Sequence, residues 1–256
     1  MKRTLYIGDV HGCAKELAQI VEDFGYVRGQ DTIYQTGDII NKGPYIWESI
    51  QLVESLNILP VRGNHEEHLI RMFQTDASLW TEKQKMRFSR LPFEKWVYIK
   101  DLVYEWPFYR DTPFALLVHA GLEPGKQTLE SMNKKVLLSV RMWNDLPWFK
   151  QTTWKKPVIF GHWAKMGLVQ IPGFIGLDSG CVYGRELSAY CPEEDKFYFV
   201  KAKQIYSPVK TKTETALEAP CIIPQDFKEE KQIAKEDLVL KSAAPKILTE
   251  WSGYSF

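Results

Sequence analysis

The chain has 256 residues, of which 45% are hydrophobic and 25% charged, a balance typical of globular proteins and not of disordered chains. Its 33 lysines and arginines nearly equal its 32 aspartates and glutamates, so no overall field favours a nucleic-acid partner or an anionic membrane. Met1 leads into a strand-like stretch without a signal sequence or long apolar run, and the four cysteines form no CxxC pair, which predicts a cytoplasmic protein with free thiols.

The first third of the chain alternates short apolar runs with helix-like segments. The predicted strands and helices, in alternation, are Thr4–Ile7, Ala14–Phe24, Thr32–Gln35, Tyr45–Leu56, Asn57–Val61 and Glu66–Phe73. This βαβαβα order is typical of a parallel sheet covered by helices, so the fold class is predicted to be α/β.

The stretch from about Thr75 to Tyr98 carries aromatic residues among many charges and is predicted to form helices of a cap. Its aromatic side chains are more typical of a packed cap than of a platform that stacks nucleobases. Strands then dominate again, several of them antiparallel, and they predict a second sheet packed on the first: Val103–Tyr109, Phe114–His119, Pro157–Phe160, Phe174–Leu177, Glu186–Cys191 and Lys196–Lys201.

The composition changes after the last of these strands. Ser207–Pro220 is rich in Thr, Lys, Glu and Pro, and is predicted to be a linker. A helix is predicted around Lys228–Leu240, and the aromatic residues Trp251, Tyr254 and Phe256 follow it. Because these three are too apolar for a solvated terminus, we expect the tail to dock on the body or on a second copy of the chain.

Five apolar runs end at a glycine next to a residue that can bind a metal ion: Tyr6–Gly12, Thr36–Asp38, Arg62–Glu66, Leu117–Gly121 and Phe160–Trp163. Loops that leave the carboxyl ends of strands in an α/β sheet converge on one crevice, so these residues can meet in space. Four of the chain's five histidines lie in these runs, and the fifth, His68, is one helical turn beyond the motif. A lone histidine is usually a surface or core residue, but this concentration indicates a metal site.

The candidate ligands are Asp9, His11, Asp38, Asn64, His119 and His162. Oxygen and imidazole donors without thiolate suit Mn, Fe, Zn or Co and argue against a closed structural zinc site. Two such ions about 3.5–4 Å apart acidify a bridging water and neutralise phosphoryl oxygens during in-line displacement. The residue pattern therefore predicts a metal-dependent hydrolase of phosphate esters or anhydrides.

The motifs GDVHG, GD with KGP, GNHE, HAG and GH, in this order from residue 8 to residue 162, resemble those of the calcineurin-like metallophosphoesterases. Within them the chain is similar to the phosphoprotein phosphatase family, and above all to its bacterial branch of symmetrical diadenosine tetraphosphatases. GCVYG at 180–184 extends the likeness to about Lys201, and residues 1–206 are assigned to the catalytic domain.

The resemblance implies a two-sheet β sandwich flanked by helices, with two divalent ions, most simply Mn²⁺, and Fe, Zn, Co or Ni as alternatives. It places Asp9 and His11 on the first ion and Asp38 as the bridge, with Asn64, His119 and His162 on the second. It makes His65 the general acid that protonates the leaving oxygen. It also makes Lys42 and Arg141 candidates for phosphate binding, ahead of Arg62 and Arg185, with Trp163 as the aromatic residue for a stacked base.

Two departures from the protein phosphatases bear on function. Those enzymes carry Asp-Arg-Gly after the bridging aspartate, whereas this chain has Asn41-Lys42-Gly43. Asn41 cannot supply a carboxylate to pair with His65, so the pKa of the acid is expected to depend on Glu66 or on a group not evident in the sequence. Lys42 would meet phosphate as a point charge and not as a bidentate fork.

The sequence thus leaves three functions open. Hydrolysis of a dinucleoside tetraphosphate to two nucleoside diphosphates is favoured by KGP and by FGHWA at 160–164. Dephosphorylation of phosphoserine or phosphothreonine proteins is the nearest alternative. A non-catalytic binding module is disfavoured, because such a module would have lost some of the six ligands. The expected partner is a nucleotide or another phosphorylated substrate, and the oligomeric state is left open.

Overall fold

A computed structural model describes residues 2–208 of the chain. Its helices and strands, in chain order, are β1 (Thr4–Ile7), α1 (Ala14–Phe24), β2 (Thr32–Gln35), α2 (Ile46–Ser55), β3 (Leu59–Pro60), α3 (Asn64–Phe73), α4 (Glu82–Phe88), α5 (Phe93–Tyr104), β4 (Tyr109–Asp111), β5 (Leu116–Val118), α6 (Lys134–Ser139), β6 (Met142–Trp143), β7 (Leu146–Pro147), β8 (Val158–Phe160), β9 (Val169–Ile171), β10 (Phe174–Gly176), β11 (Glu186–Cys191) and β12 (Lys196–Lys201).

The first sheet has the strand order β12-β11-β1-β2-β3. Its strands β1, β2 and β3 run parallel, with Thr4 opposite Thr32 and Tyr34 opposite Leu59, and β11 lies antiparallel to β1. The helical crossovers α1 and α2 make this parallel arrangement possible. The carboxyl ends of β1, β2 and β3 therefore face the same edge of the sheet.

The second sheet has the strand order β4-β5-β8-β10-β9, and its central strands β5, β8 and β10 are parallel. The buried layer between the two sheets takes residues from both: Tyr6, Val61, Ala115, Leu117, Ile159, Leu177 and Tyr190. A larger apolar cluster lies on the face of the first sheet that packs against helices, and a third lies on the second sheet. The predicted two-sheet sandwich flanked by helices is confirmed.

The part of the chain that follows α3 and precedes β4 is helical, as predicted. One predicted strand at its end is wrong. Val103–Tyr109 was expected to be a strand, whereas Val103 lies in α5 and the strand begins only at Tyr109. Trp96, Ile99 and Val103 recur at helical spacing and form the buried face of α5, so the β-branched Val103 belongs to that periodicity. Pro107 then prevents the helix from continuing.

The cap contributes to the main core. Trp96 is 1% exposed and donates its indole N–H to the carbonyl of Phe88. Phe88 also packs against Trp80 and Phe73. The predicted packed cap, as opposed to a base-stacking platform, agrees with these contacts.

The carboxylate of Glu16 attaches the end of the described chain to α1. Its Oε1 accepts hydrogen bonds from the backbone N–H of Lys203 and from the hydroxyl of Tyr206, each at 2.8 Å. Residues up to about 207 therefore belong structurally to the body. The predicted linker, the predicted helix at 228–240 and the expected docking of the terminal aromatic residues lie outside the described residues.

Two other expectations concern thiols and membranes. The described cysteines, Cys13, Cys181 and Cys191, are buried free thiols, in line with the prediction, and Cys221 lies beyond the described part. Within residues 2–208, no helix has the length and apolar character needed to cross a membrane.

Candidate metal centre

The five glycine-flanked loops converge at the carboxyl ends of β1, β2, β3, β5 and β8. The carboxylate of Asp38 lies at the centre of the site. Its Oδ2 is 3.6 Å from Nε2 of His11 and 3.8 Å from Nε2 of His65, and its Oδ1 is 3.5 Å from Nε2 of His119. Ligand atoms of Asp38 thus border two groups, one with His11 and His65 and one with His119 and His162.

The side-chain oxygen of Asn64 lies between two imidazoles. It is 2.9 Å from Nε2 of His119 and 2.9 Å from Nδ1 of His162. His119 also directs Nδ1 to the carbonyl oxygen of Thr36 at 2.8 Å, so Nδ1 carries the ring proton and Nε2 presents a lone pair. An amide oxygen and an imidazole lone pair therefore face the same point.

This donor set fits a divalent cation. Two acceptor atoms 2.9 Å apart repel each other unless a cation attracts both, and a metal ion with bonds of about 2.0–2.2 Å holds adjacent ligands about 3 Å apart. Burial lowers the pKa of His119 to about 4, and it also lowers the pKa of His11 and of His162, so the imidazoles are neutral and ready to bind metal.

Burial acts on the carboxyl groups of the site as well, where it disfavours the negatively charged form that a cation would stabilise. Burial is the main cause that raises the pKa of Asp9, and it raises that of Asp38 to about 7. Neighbouring carboxylates add to the shift of Asp9, because like charges disfavour its ionised form. A bound divalent ion would remove this electrostatic cost.

Asp9 is held rigidly at the end of β1. Its Oδ1 accepts a hydrogen bond from the hydroxyl of Thr36 at 2.8 Å, and its Oδ2 accepts one from the backbone N–H of His162 at 3.0 Å. A Cβ on Gly161 would overlap Oδ1 of Asp9, and a Cβ on Gly63 would overlap Oδ1 of Asp38. The two motifs therefore require glycine at these positions, because the backbone passes directly over a carboxylate.

Asp178 is a buried acidic residue of the site that the sequence analysis missed. It is 5% exposed, and its negative charge contributes to the raised pKa of both Asp9 and Asp38. Its Oδ1 accepts a hydrogen bond from the N–H of Gly180 at 3.1 Å. The signal was available in the sequence, because Asp178 follows a strand and precedes the GCVYG motif.

His65 lies in the first turn of α3, which begins at Asn64 and not at Glu66 as predicted. The amide nitrogen of Asn41 donates to its Nδ1, which leaves the proton of the neutral ring on Nε2, the atom that faces Asp38. Burial lowers the pKa of His65, and the nearby charges of His11, Lys42 and Arg87 lower it further. The partner of His65 is therefore Asn41.

Glu66, which the sequence analysis considered as the partner of His65, has another role. Its carboxylate accepts hydrogen bonds from the backbone N–H groups of Asp38, Ile40 and Gly63, at 2.8, 3.2 and 2.9 Å. It thereby joins the loop after β2 to the beginning of α3. Burial raises its pKa to about 7.

Lys42 and Arg141, the two candidates for phosphate binding, both reach the centre. The ammonium of Lys42 donates to Nε2 of His11 at 2.8 Å and lies 5.1 Å from the ring centroid of Tyr183. Arg141 is exposed, and its Nη2 donates to the carbonyl oxygen of His162 at 3.3 Å. The positive charges of both residues lower the pKa of Asp38, in opposition to burial.

The other three candidates form other contacts. Arg62 forms an ion pair with Glu67 at 3.1 Å, and Arg185 donates to the carbonyl of Ala164. Trp163 packs against the ring of Phe149, with 6.3 Å between the ring centroids. Arg62 is thus occupied by a structural contact. Arg185 also lines a cavity of about 510 Å³.

The loops of the site hold an unusual backbone conformation. His11, Asp38, Asn41, Lys42 and His162 all have positive φ, between 48° and 79°. Residues with a Cβ rarely adopt this left-handed region, and it costs on the order of 1 kcal/mol or more for each residue. Strain concentrated at one cluster indicates that ligand geometry, and not local preference, determines these loops.

Comparisons with known proteins identify the family of the chain. The family model for the calcineurin-like phosphoesterase matches residues 2–201. A symmetrical bis(5'-nucleosyl)-tetraphosphatase of Aromatoleum aromaticum is 25% identical, in an alignment that covers 78% of this chain and 98% of that protein. The enzyme of the same name from Psychromonas ingrahamii is 24% identical and covers 76% of this chain and 95% of its own length.

Solved structures share the fold. A crystal structure described as that of a candidate diadenosine tetraphosphatase superposes with a TM-score of 0.68 at 25% identity, over 78% of this chain and 94% of that one. A protein serine/threonine phosphatase from Saccharomyces cerevisiae reaches a TM-score of 0.50 at 14% identity, over 82% of this chain and 81% of that one, which shows a common fold only. By its fold, its donor set and the matched family model, the chain belongs to the calcineurin-like phosphoesterase family of metal-dependent phosphohydrolases.

Proposed function

We propose that the protein hydrolyses symmetrical dinucleoside tetraphosphates at the central anhydride, and converts diadenosine tetraphosphate into two molecules of ADP. The observation that carries the proposal is the convergence of oxygen and imidazole donors around Asp38, with His11 on one side and Asn64, His119 and His162 on the other. The tetraphosphatases that resemble this chain support the choice of substrate, because the likeness extends over 98% of the length of one of them.

In this proposal the site holds two divalent ions. Asp9 and His11 would hold the first, and Asp38 would contribute to both. The second ion would take the three remaining donors, Asn64, His119 and His162. Mn²⁺ is the ion we expect, and Fe, Zn, Co or Ni ions suit the same oxygen and nitrogen ligands.

The bound ions would supply a water of lowered pKa and neutralise charge on the phosphoryl group. The protein side chains do the rest. Lys42 and Arg141 hold the phosphoryl oxygens from two sides of the ligand cluster. His65 presents Nε2 on the side of Asp38, and in its doubly protonated form it would give the Nε2 proton to the leaving oxygen and return to the neutral ring.

Dephosphorylation of phosphoproteins is the alternative. The yeast phosphatase supports it at the level of fold only, whereas the Asn41-Lys42-Gly43 stretch departs from the pattern of the protein phosphatases. The cellular location and the oligomeric state play no part in the proposal.

The test uses metal-free full-length protein, reconstituted separately with each candidate ion. Diadenosine tetraphosphate and a phosphoserine peptide are supplied in parallel, and the products are separated by chromatography. We expect ADP as the only nucleotide product and a much lower rate on the peptide. Equal amounts of ATP and AMP, or a faster reaction with the peptide, would overturn the proposed function.

A further inference from the structure

Two arginines of the cap lie near the loops that carry His65 and Lys42, on elements that the candidate metal ligands do not use. Arg87, near the end of α4, lines a small cavity together with His65, Asn41 and Phe88. Arg90 follows the same helix, and its Nη2 donates to the carbonyl of Gly43, the residue next to Lys42. The cap therefore places two guanidinium groups at the border of the site.

Arg87 lacks an anionic partner in the described part of the chain. It is half-buried, and within residues 2–208 its guanidinium forms no ion pair and no hydrogen bond. Burial and the charge of Arg90 lower its pKa. A half-buried cation beside a like charge is unfavourable in the free protein, and a bound anion would remove that cost.

The charges of Arg87 and Lys42 both reach His65, but their other neighbours differ. The charges of Lys42 and Arg141 reach the carboxylate of Asp38. The charge of Arg87 reaches His65 and His68, both on α3. Arg87 thus lies on the side of His65 that faces the cap, whereas Asp38 lies 3.8 Å from Nε2 of the same ring.

The position of the general acid determines which part of the substrate lies near Arg87. In the proposed reaction the leaving oxygen receives the proton of His65, so the group attached to that oxygen extends past His65 toward the cap. In a dinucleoside tetraphosphate this group is a nucleoside diphosphate, which carries several negative charges. In a simple phosphate ester it is an uncharged alcohol or phenol.

We propose that Arg87, assisted by Arg90, forms a binding subsite for the phosphates of the departing nucleoside diphosphate. The inference rests on the proposed function. It gives the site a physical basis for preferring phosphoanhydrides to monoesters, because a planar guanidinium binds two phosphate oxygens at once and has no comparable partner on an alcohol.

The test is the substitution Arg87→Met, which keeps most of the aliphatic stem and removes the charge. The matched control is Lys85→Met, which removes the same charge from the same helix, where Lys85 is exposed and pairs with Glu82 at 2.8 Å. Each variant is loaded with Mn²⁺, and its affinity for ADP and for inorganic phosphate is measured by calorimetry. Rates are measured with diadenosine tetraphosphate and with phenyl phosphate.

We expect Arg87→Met to weaken ADP binding and to lower kcat/KM on diadenosine tetraphosphate by about 10- to 100-fold, the range of one charge-assisted contact. Binding of inorganic phosphate and hydrolysis of phenyl phosphate should change by no more than about twofold, and Lys85→Met should resemble the wild type. Arg87→Lys retains the charge without the planar guanidinium, and its ADP affinity should lie between those of the wild type and Arg87→Met. It replaces Arg87→Met in the test if the methionine variant is unstable.

Unchanged ADP affinity in Arg87→Met, or an equal loss on both substrates, would show that Arg87 has a structural role only. If the wild type hydrolyses phenyl phosphate and not diadenosine tetraphosphate, the proposed function fails. The subsite is then still tested by the difference between ADP and phosphate binding, because that measurement does not require turnover.

Discussion

The side chain of Asn41 donates a hydrogen bond to Nδ1 of His65 and so fixes the proton of the neutral ring on Nε2. An amide in this position orients the imidazole without adding a negative charge. Burial therefore remains the largest influence on the pKa of His65, and it lowers that pKa. To act as the general acid, the ring must therefore gain a second proton, which the negative charge of a bound substrate would favour.

Replacement of His65 by alanine should reduce turnover by about 10²–10⁴-fold, the usual range for loss of a general acid, and should leave metal content almost unchanged. The matched control is His68→Ala, which removes a histidine one turn further along α3. Steady-state rates and elemental analysis of the same samples check both points. Loss of metal with normal turnover after reconstitution would show that His65 is a ligand and not the acid.

Asp38→Asn should lose more metal than Asp9→Asn. The carboxylate of Asp38 borders both groups of histidines, whereas that of Asp9 is held by Thr36 and by the backbone of His162. Elemental analysis of each variant, after dialysis against a fixed free metal concentration, gives the number of ions per chain. An Asp38→Asn protein with two ions and normal activity would disprove the bridging assignment.

Metal affinity should rise with pH up to about 7 and change little above it. Burial raises the pKa of Asp38 to about 7, and that carboxyl must lose its proton to bind metal. The pKa of His119 is about 4, so that ring is already neutral in this range. We expect a gain in affinity of at least about tenfold per pH unit between 5.5 and 6.5, the slope for release of one proton, and a steeper gain where Asp9 also loses a proton.

Calorimetric titrations in two buffers of different ionisation enthalpy would count the protons released. The stability of the metal-free protein depends on pH in the opposite direction from its affinity for metal. The pKa of Asp38 is raised above its usual value of 3.8, so ionisation of this group removes stability as the pH rises from about 4 to about 7. Metal binding without proton release at pH 6 would contradict the assignment of Asp38 as a ligand with a raised pKa.

Lys42→Met should bind the first metal ion more tightly and turn over more slowly. The ammonium of Lys42 lies 2.8 Å from Nε2 of His11, the atom proposed to bind that ion, so its charge repels the incoming cation. The same charge is proposed to hold phosphate. Competition with a chelator measures the first effect and KM the second. Weaker metal binding in this variant would show that Lys42 supports the ion and does not oppose it.

Deletion of the residues after Ser207 should leave metal binding and hydrolysis of phenyl phosphate intact. The backbone of Lys203 and the hydroxyl of Tyr206 are attached to Glu16, so the cut falls beyond these contacts. Thermal unfolding and gel filtration would then report what the tail adds to stability or association. A folded, metal-loaded truncated protein that is inactive on phenyl phosphate would show that the tail belongs to the active site.

Much of the site could be predicted from the sequence because its ligands follow buried strands. Asp9, Asp38 and His119 each stand within three residues of a strand end, where glycine spacing identifies a loop that closely approaches its neighbours. The order of these loops along a βαβ chain predicts that they share one edge. The strand predicted at Val103–Tyr109 was wrong because a single β-branched residue fits a helical and an extended pattern equally well.

The sequence by itself determined the types of the candidate ligands, their position at strand ends and the α/β class, since these depend on local periodicity and donor chemistry. Only the tertiary structure decided which groups touch. Asn41 and not Glu66 meets His65, Asp178 joins the carboxylates, and Arg87 comes to the border of the site from a separate helix. Such contacts depend on how loops and helices distant in sequence pack, and a linear pattern carries no measure of that distance.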